Sequence, residues 1–355
     1  MTQITDDVRP AQGTALPAPP VDGARPAIVV ERLDKSFGQV HALRGIDLTV
    51  ARGSVLGVLG PNGAGKTTMV RILATLLLPD SGSATIEGFD VVHDAAMVRR
   101  QIALAGQATA IVLELTGREN LHMMGRLRHL HRDDVEQRAE DLLQRFGLMD
   151  AADRTAKTYS GGMQRRLDLA ASLMGDPAVL FLDEPTTGLD PPARLSMWDV
   201  IHELAGRGTT IMLTTQYMDE ADELADNIVV VDHGRVIAHG TSDQLKNQVG
   251  GDVLEFTVVD RSQVSRAVNA MATLSDAPPR LDDHTKRVSV RVGNRGSQAL
   301  VEAVRQLDAA HVETEDLALR RPSLDDVFLA VTGRTADDEQ ATDTRRRGRR
   351  RGGGA

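Results

Sequence analysis

Gly60-Pro61-Asn62-Gly63-Ala64-Gly65-Lys66-Thr67-Thr68 decides how the rest of this chain is read. The run has the form Gly, four residues, Gly-Lys-Thr, a loop that cradles phosphates. Its glycines let backbone N–H groups curl around a phosphate chain without side-chain clash. Lys66 reaches β- and γ-phosphates, and the Thr67 hydroxyl suits Mg²⁺. Val55-Leu56-Gly57-Val58-Leu59 before it reads as a buried strand. The 67–78 pattern after it reads as a helix, whose N-terminal dipole faces the phosphates. The plainer alternative is a glycine turn between two core elements.

Composition narrows the setting. The chain has 355 residues, 41% of them hydrophobic, enough for two domains and a large core. Aromatic residues are 3%, too few for an aromatic platform for nucleic acid. The absence of cysteine excludes disulfides and thiolate metal sites. No apolar run approaches the length that crosses a bilayer, and no basic-then-apolar secretion signal opens the chain. These features favour the cytoplasm. A net charge of −9 gives no general pull toward nucleic acid or anionic lipid.

Residues 1–26 are rich in proline and small polar residues and read as a disordered tail. Residues 334–355 hold seven arginines and four acids and read as a second, Arg-rich tail. That end suits either anionic headgroups or plain solubility. Between the tails, apolar runs at 27–31, 46–50, 54–59, 179–182, 210–214, 227–232 and 235–239 predict strands. Helical patterns occupy 67–78, 118–130, 133–147, 161–174, 193–205 and 218–224. The alternation describes an α/β nucleotide-binding domain over 27–247, with a helical insert at about 108–175. A smaller α+β module follows at 250–333. Its expected strands are Val253–Val259, Arg287–Val292 and His311–Leu319, and its expected helices Ser262–Leu274, Ser297–Ala309 and Ser323–Ala330. On the last helix, Leu324, Val327 and Phe328 share one face, which either closes the module's own core or serves assembly.

Two further segments carry chemistry. Ala178-Val179-Leu180-Phe181-Leu182-Asp183-Glu184 is an apolar strand ending in two carboxylates. Asp183 suits Mg²⁺ through its water shell, and Glu184 suits polarising an attacking water. Tyr159-Ser160-Gly161-Gly162-Met163-Gln164 opens a helix, and its hydroxyl, glycines and helix N-terminus form a second anion cradle.

This second segment resembles the Leu-Ser-Gly-Gly-Gln signature of the ATP-binding cassette (ABC) family. Tyr159 replaces the leading Leu, Met163 stands where the final Gln belongs, and Gln164 follows one step later. Ser160, Gly161 and Gly162 match the parts that touch phosphate in the family. The resemblance implies roles elsewhere. Gln107 matches the glutamine that touches Mg²⁺ and the attacking water. Asp190, in Thr187-Gly188-Leu189-Asp190, matches a loop that crosses the dimer interface. Phe37 matches the aromatic that stacks on adenine, the alternative being a core Phe. Gln216, in Thr214-Thr215-Gln216-Tyr217, stands where the family's switch carries His.

The resemblance is strong over 27–247. It extends through Arg320-Arg321-Pro322-Ser323-Leu324-Asp325-Asp326-Val327-Phe328-Leu329, which is similar to the end of bacterial drug-exporter ATPases of the daunorubicin-resistance type. It implies a P-loop ABC ATPase that binds ATP and Mg²⁺, with Glu184, Gln216 and Gln107 as its catalytic set. It implies a homodimer in which each ATP lies between Gly60–Thr68 of one chain and Ser160–Gly162 of the other. It also implies a separately encoded membrane permease, a peripheral place on the cytoplasmic face, and export of a hydrophobic drug or antibiotic. Nucleic acid is not among the expected partners. The alternatives are a non-transport ABC ATPase and a nucleotide-sensing subunit, and Glu184 speaks against the latter.

Overall fold

A computed structural model describes residues 25–106, 110–248, 251–275, 278–282, 284–293 and 295–332. Gln107, the Arg-rich tail at 334–355 and nearly all of the 1–26 tail lie outside the described residues.

The chain opens with β1 (Ile28–Phe37), β2 (Val40–Val50) and β3 (Val55–Leu59), followed by α1 (Lys66–Leu73). Then come β4 (Ser81–Ile86), β5 (Phe89–Asp90), α2 (Ala95–Gln101) and β6 (Ile102–Ala105). Three helices follow, α3 (Gly117–Leu127), α4 (Arg132–Arg145) and α5 (Gly161–Ser172). The order resumes with β7 (Val179–Asp183), α6 (Pro191–Gly206), β8 (Thr210–Thr215), α7 (Met218–Leu224), β9 (Asn227–Asp232), β10 (Arg235–Gly240) and α8 (Ser242–Gln248). The last stretch is β11 (Asp252–Val258), α9 (Val264–Met271), β12 (Arg280–Asp282), β13 (Arg287–Gly293), α10 (Gly296–Ala309), β14 (Thr314–Arg320) and α11 (Leu324–Thr332).

Six strands share a sheet in the order β10-β9-β3-β8-β7-β6. β3 pairs in parallel with β9, and β6 with β7. Every residue of β3 and β7 is buried, as continuous apolar runs in parallel sheets require. A second sheet, β2-β1-β4-β5, is antiparallel.

The chain folds into two compact units. The first holds the chain up to Ser54, Thr67–Leu182 and Glu203–Ile211, and the second holds Val55–Lys66, Asp183–His202 and the chain from Met212. In the first, Thr116 caps α3 through a capping box with Glu119. Buried Asn120 binds the main chain before that helix, accepting from Val112 N–H at 2.7 Å and donating to Val112 O at 3.0 Å.

In the second unit, β11 to β14 form a sheet ordered β12-β13-β11-β14 with antiparallel neighbours. With α9 and α10 this is a β-α-β-β-α-β arrangement of ferredoxin-like topology. The expected β-α-β-α-β-α pattern lacked β12, whose three residues are all exposed and leave no apolar signal. The sheet and helices close their own core around Leu254, Phe256, Met271, Val288, Val290 and Leu307. The last helix does not join it. Leu324, Val327 and Phe328 pack instead with Leu59, Met218, Ala221, Ile228, Val230 and Leu245. The face left open in sequence thus seals the nucleotide-binding fold, on the strand that leads into the phosphate loop. Arg320 ties α11 to β11, donating to Asp326 at 2.7 Å and to Glu255 at 3.1 Å.

Other elements differ from expectation for local reasons. β4, with its Ser and Gly, and the short β5 and β6 carry too little apolar alternation to read as strands. The helix expected to reach 78 ends at Leu73, because Thr75 takes a left-handed conformation (φ 61°) and leaves Leu76 and Leu78 exposed.

Candidate functional site

β3 delivers the chain to Gly60, whose N–H donates to Thr215 O at the end of β8, 3.3 Å away. A Cβ at Gly60 would collide with Val231 O, so the loop passes that carbonyl only as glycine. Gly63 and Gly65 take φ values of 85° and 111°, a region that disfavours side chains. Ala64 O accepts from Gly234 N–H at 2.9 Å, which anchors the loop's far side. Pro61 is half-buried and Asn62 exposed, while Lys66, Thr67 and Thr68 form the first turn of α1. The first turn of a helix presents backbone N–H groups at its start, as an anion site needs.

The Lys66 side chain is 4% exposed, and Nζ donates to Gly60 O at 2.7 Å and Pro61 O at 3.0 Å. Burial pulls its pKa down from the ordinary lysine value, while the Glu184 and Asp183 carboxylates push the other way. Glu184 Oε1 lies 3.9 Å from Nζ.

β7 ends in the two carboxylates. Asp183 Oδ1 accepts from Thr214 Oγ1 at 2.6 Å, inside the sheet. Glu184 takes φ 53°, an uncommon conformation for a non-glycine residue. It is held there because its N–H donates to Thr214 O at 3.1 Å and to Thr214 Oγ1 at 3.2 Å. Thr187 Oγ1 donates to Glu184 Oε2 at 3.3 Å. Thr214 thus positions both acids, and Thr215, through Gly60, positions the loop. Gln216 follows at the bend after β8, half-buried. Gly60–Lys66, Asp183, Glu184 and Gln216 all belong to one compact unit, where Lys66 and Glu184 are brought together.

Asp190 is exposed, and Oδ1 accepts from Ala193 N–H at 3.0 Å, so it also caps α6. Pro191, the first residue of α6, suits that position. Behind Gln216, Glu220 is fully buried, with Trp198 Nε1 donating to it at 3.4 Å. Burial pushes its carboxyl up, against the hydroxyls of Thr215 and Thr186 and the indole N–H.

In the other unit, Ser160 caps α5, its Oγ accepting from Met163 N–H at 3.3 Å. Ser160 and Gly161 are exposed, and a Cβ at Gly161 would meet nothing in its own chain. Internal packing therefore does not explain that glycine. Tyr159, in the place of the usual Leu, is buried and donates to Ala151 O at 2.7 Å. Phe37 is 48% exposed, which rules out the core alternative, and the Lys35 ammonium lies 5.6 Å from its ring centroid.

Sequence reasoning did not single out Thr214 or Thr215. A Thr-Thr pair closing an apolar strand was the available signal, but their partners are set by sheet order.

The ABC transporter family matches residues 43–187. A daunorubicin resistance ATP-binding protein of Streptomyces coeruleorubidus is 53% identical over 307 residues, covering 86% of this chain and 96% of that protein. The doxorubicin resistance ATP-binding protein of Mycobacterium tuberculosis is 46% identical, covering 86% and 93%. A Nod factor export ATP-binding protein of Ralstonia nicotianae is 36% identical, covering 91% and 98%. Among solved structures, an ATP-binding subunit of an ABC transporter superposes with a TM-score of 0.57 at 28% identity, covering 63% of this chain and 93% of its own. A phosphate loop, a paired carboxylate turn and a signature helix on this fold, with identity at this level across nearly the whole of its relatives, place the chain in the ABC transporter family as an ATP-binding, ATP-hydrolysing subunit.

Proposed function

We propose that this subunit energises export of a hydrophobic drug or antibiotic through a separately encoded membrane permease. The observation that carries hydrolysis is the Lys66–Glu184 juxtaposition on the phosphate loop, with Glu184 fixed in a left-handed turn. The names of its drug-resistance relatives carry the transport reading.

The loop N–H groups and Lys66 bind the phosphates, exchanging Gly60 O and Pro61 O for phosphate oxygens. Glu184 accepts hydrogen from the attacking water, and Gln216 donates its amide N–H to a γ-phosphate oxygen. Gln107 completes the set by resemblance. Among the described residues no three His, Cys, Asp or Glu side chains gather as a metal cage. The donors present still fit Mg²⁺, which takes nucleotide oxygens and waters beside one or two protein ligands. Thr67 and Asp183, with Gln107, would hold it. When bound it neutralises charge on the β- and γ-phosphates.

Ser160–Gly162 serve a second copy of the chain, since Gly161 faces open space. ATP would close this head-to-tail dimer and hydrolysis reopen it. Among the described residues no helix is long and apolar enough to cross a membrane, so the translocation path belongs to a partner. Leu76, Leu78 and Leu127 are each about two-thirds exposed. They flank a bonded corner, where Arg99 donates to Thr75 Oγ1 and Arg128 to Arg99 O, both at 3.1 Å. That exposed leucine group suits contact with the permease, which supports a peripheral position on the cytoplasmic face of the membrane.

The test is drug retention in sensitive cells that express the full chain together with a candidate permease. The wild type should lower retention of a fluorescent anthracycline, and Lys66→Ala should abolish that effect. Equal retention with both chains, while the wild type still hydrolyses ATP, would remove the substrate assignment.

A further inference from the structure

The chain that leaves α1 comes back at Asp80 to the end of β1, where this one residue holds three in a row. Asp80 N–H donates to Asp34 O at 2.9 Å. Its carboxylate accepts from the Lys35 ammonium at 2.6 Å through Oδ1, and from Ser36 N–H at 2.7 Å through Oδ2. Phe37 is the next residue and the last of β1. Across the hairpin, His41 Nε2 lies 2.8 Å from Asp34 Oδ2, so Asp34 is braced from both sides.

The backbone needs a brace at this point. β1 pairs with β4 only as far as Asp34 opposite Ser81, and its register with β2 shifts between Lys35 and Ser36. A shift of this kind re-aims the residues beyond it, and a strand edge without a neighbour leaves N–H groups unpaired. Asp80 Oδ2 supplies Ser36 with the acceptor that β4 no longer offers. Beyond Phe37 the chain turns back at once, with Gly38 at φ 58° and Phe37 opposite Val40. The direction in which Phe37 leaves the sheet is thus set by this turn on one side and by Asp80 on the other.

Stability is a weak reason for the arrangement. Asp80 is exposed, and an exposed ion pair adds little to folding. The Lys35 ammonium and Ser36 N–H hold its carboxyl below the ordinary carboxylate range. The Lys35 side chain is only 13% exposed, and its ammonium lies over the Phe37 ring. One carboxylate therefore fixes both the main chain that carries the ring and the cation that covers one of its faces. The rest of the half-exposed ring is apolar surface with room for a stacking partner.

We infer that Asp80 is a positioning residue that sets the Phe37 ring, through Lys35 and Ser36, for stacking on the base of the nucleotide. A ring already held in one direction loses less freedom when a base lands on it. Asp80 thereby acts on nucleotide affinity and on the choice of base, and leaves the phosphate chemistry alone. The inference rests on the reading of Phe37 as the aromatic that stacks on adenine.

The test uses the full chain with Asp80→Ala, Asp80→Asn, Phe37→Ala and the Asp80→Ala/Phe37→Ala pair. kcat and KM are measured with ATP and with UTP, whose smaller base stacks less, beside the melting temperature. Phe37→Ala should raise KM for ATP about tenfold or more, and KM for UTP by less than about threefold. Asp80→Ala should raise KM for ATP at least about fourfold, with KM for UTP and kcat for ATP within about twofold of wild type. Asp80→Asn keeps an oxygen for Ser36 N–H and should hold KM for ATP within about twofold. In the pair, KM for ATP should stay close to that of Phe37→Ala alone, because Asp80 acts through the ring. A merely structural Asp80 would lower the melting temperature and shift KM for both nucleotides alike or not at all, and that result would overturn the proposal. So would single effects that multiply in the pair. Unchanged KM for ATP in Phe37→Ala would refute the reading of Phe37 and take the inference with it. A large rise there beside an unchanged Asp80→Ala would refute the role of Asp80 alone.

Discussion

Lys66 rests its ammonium on two carbonyls of its own loop, so nucleotide binding replaces neutral acceptors with charged ones. Lys66→Ala should therefore lose productive ATP binding, measured with a fluorescent ATP analogue. Glu184→Gln keeps shape and removes the proton acceptor, so ATP should stay bound, turnover should collapse, and the mass in solution should shift to a trapped dimer. Wild-type turnover in Glu184→Gln would take that residue out of the mechanism. Gln216 poses a sharper question. Its amide does not titrate, whereas an imidazole does between about pH 5.5 and 7.5. Gln216→Ala should cost at least tenfold in turnover, about 1.4 kcal/mol of barrier, with ATP affinity changed less. Gln216→His should remain active and gain an inflection in its pH–rate profile. Near-wild-type turnover in Gln216→Ala would make Gln216 a bystander. The loop, Asp183 and Glu184 were legible in sequence because their chemistry fixes residue type and spacing along the chain. Thr214 was not, because the acid it bonds is 31 positions away and only the pairing of strands brings them together.

At the scale of elements, strands buried on both faces announced themselves. β3, β7, β8 and β9 are continuous apolar runs, and each stands close to where the sequence put it. β4 and β12, built from small, polar or exposed residues, carry no such signal. α5 was legible from its capping serine and glycines, and its exposed start makes a prediction about assembly. Gly162→Asp should place charge and bulk against a phosphate held by the other chain. A chain carrying Lys66→Ala mixed with one carrying Gly162→Asp then forms one doubly damaged site and one intact site. ATP turnover should partly recover in the mixture, although neither chain works alone. No recovery at any ratio, with cross-linked mixed pairs present, would show that one intact site is insufficient.

At the scale of the molecule, α11 is the unexpected piece. Sequence periodicity found its apolar face, but periodicity cannot say which core a face enters, and Phe328 enters the one that supports Leu59 and the phosphate loop. Phe328→Ala should cost about 3–5 kcal/mol of stability, read as a lower melting temperature, and weaken ATP binding although no nucleotide contact is removed. Removing the β11–β14 sheet while keeping α11 should spare ATP binding and act instead on dimer formation or drug resistance. A chain without that sheet that still confers full resistance would deny the module a role in assembly.

The position of α11 also sets an order of events during synthesis. β3, the phosphate loop and α7 leave the ribosome long before Leu324, Val327 and Phe328 exist, and until then the cluster of Leu59, Ile228 and Val230 is covered only by α7 and α8. Translation that stops early therefore yields a chain with every residue of the phosphate loop and an incompletely filled apolar layer beneath it. A chain that stops before Leu324 should therefore bind ATP more weakly than the full chain, a difference that a fluorescent ATP analogue would read.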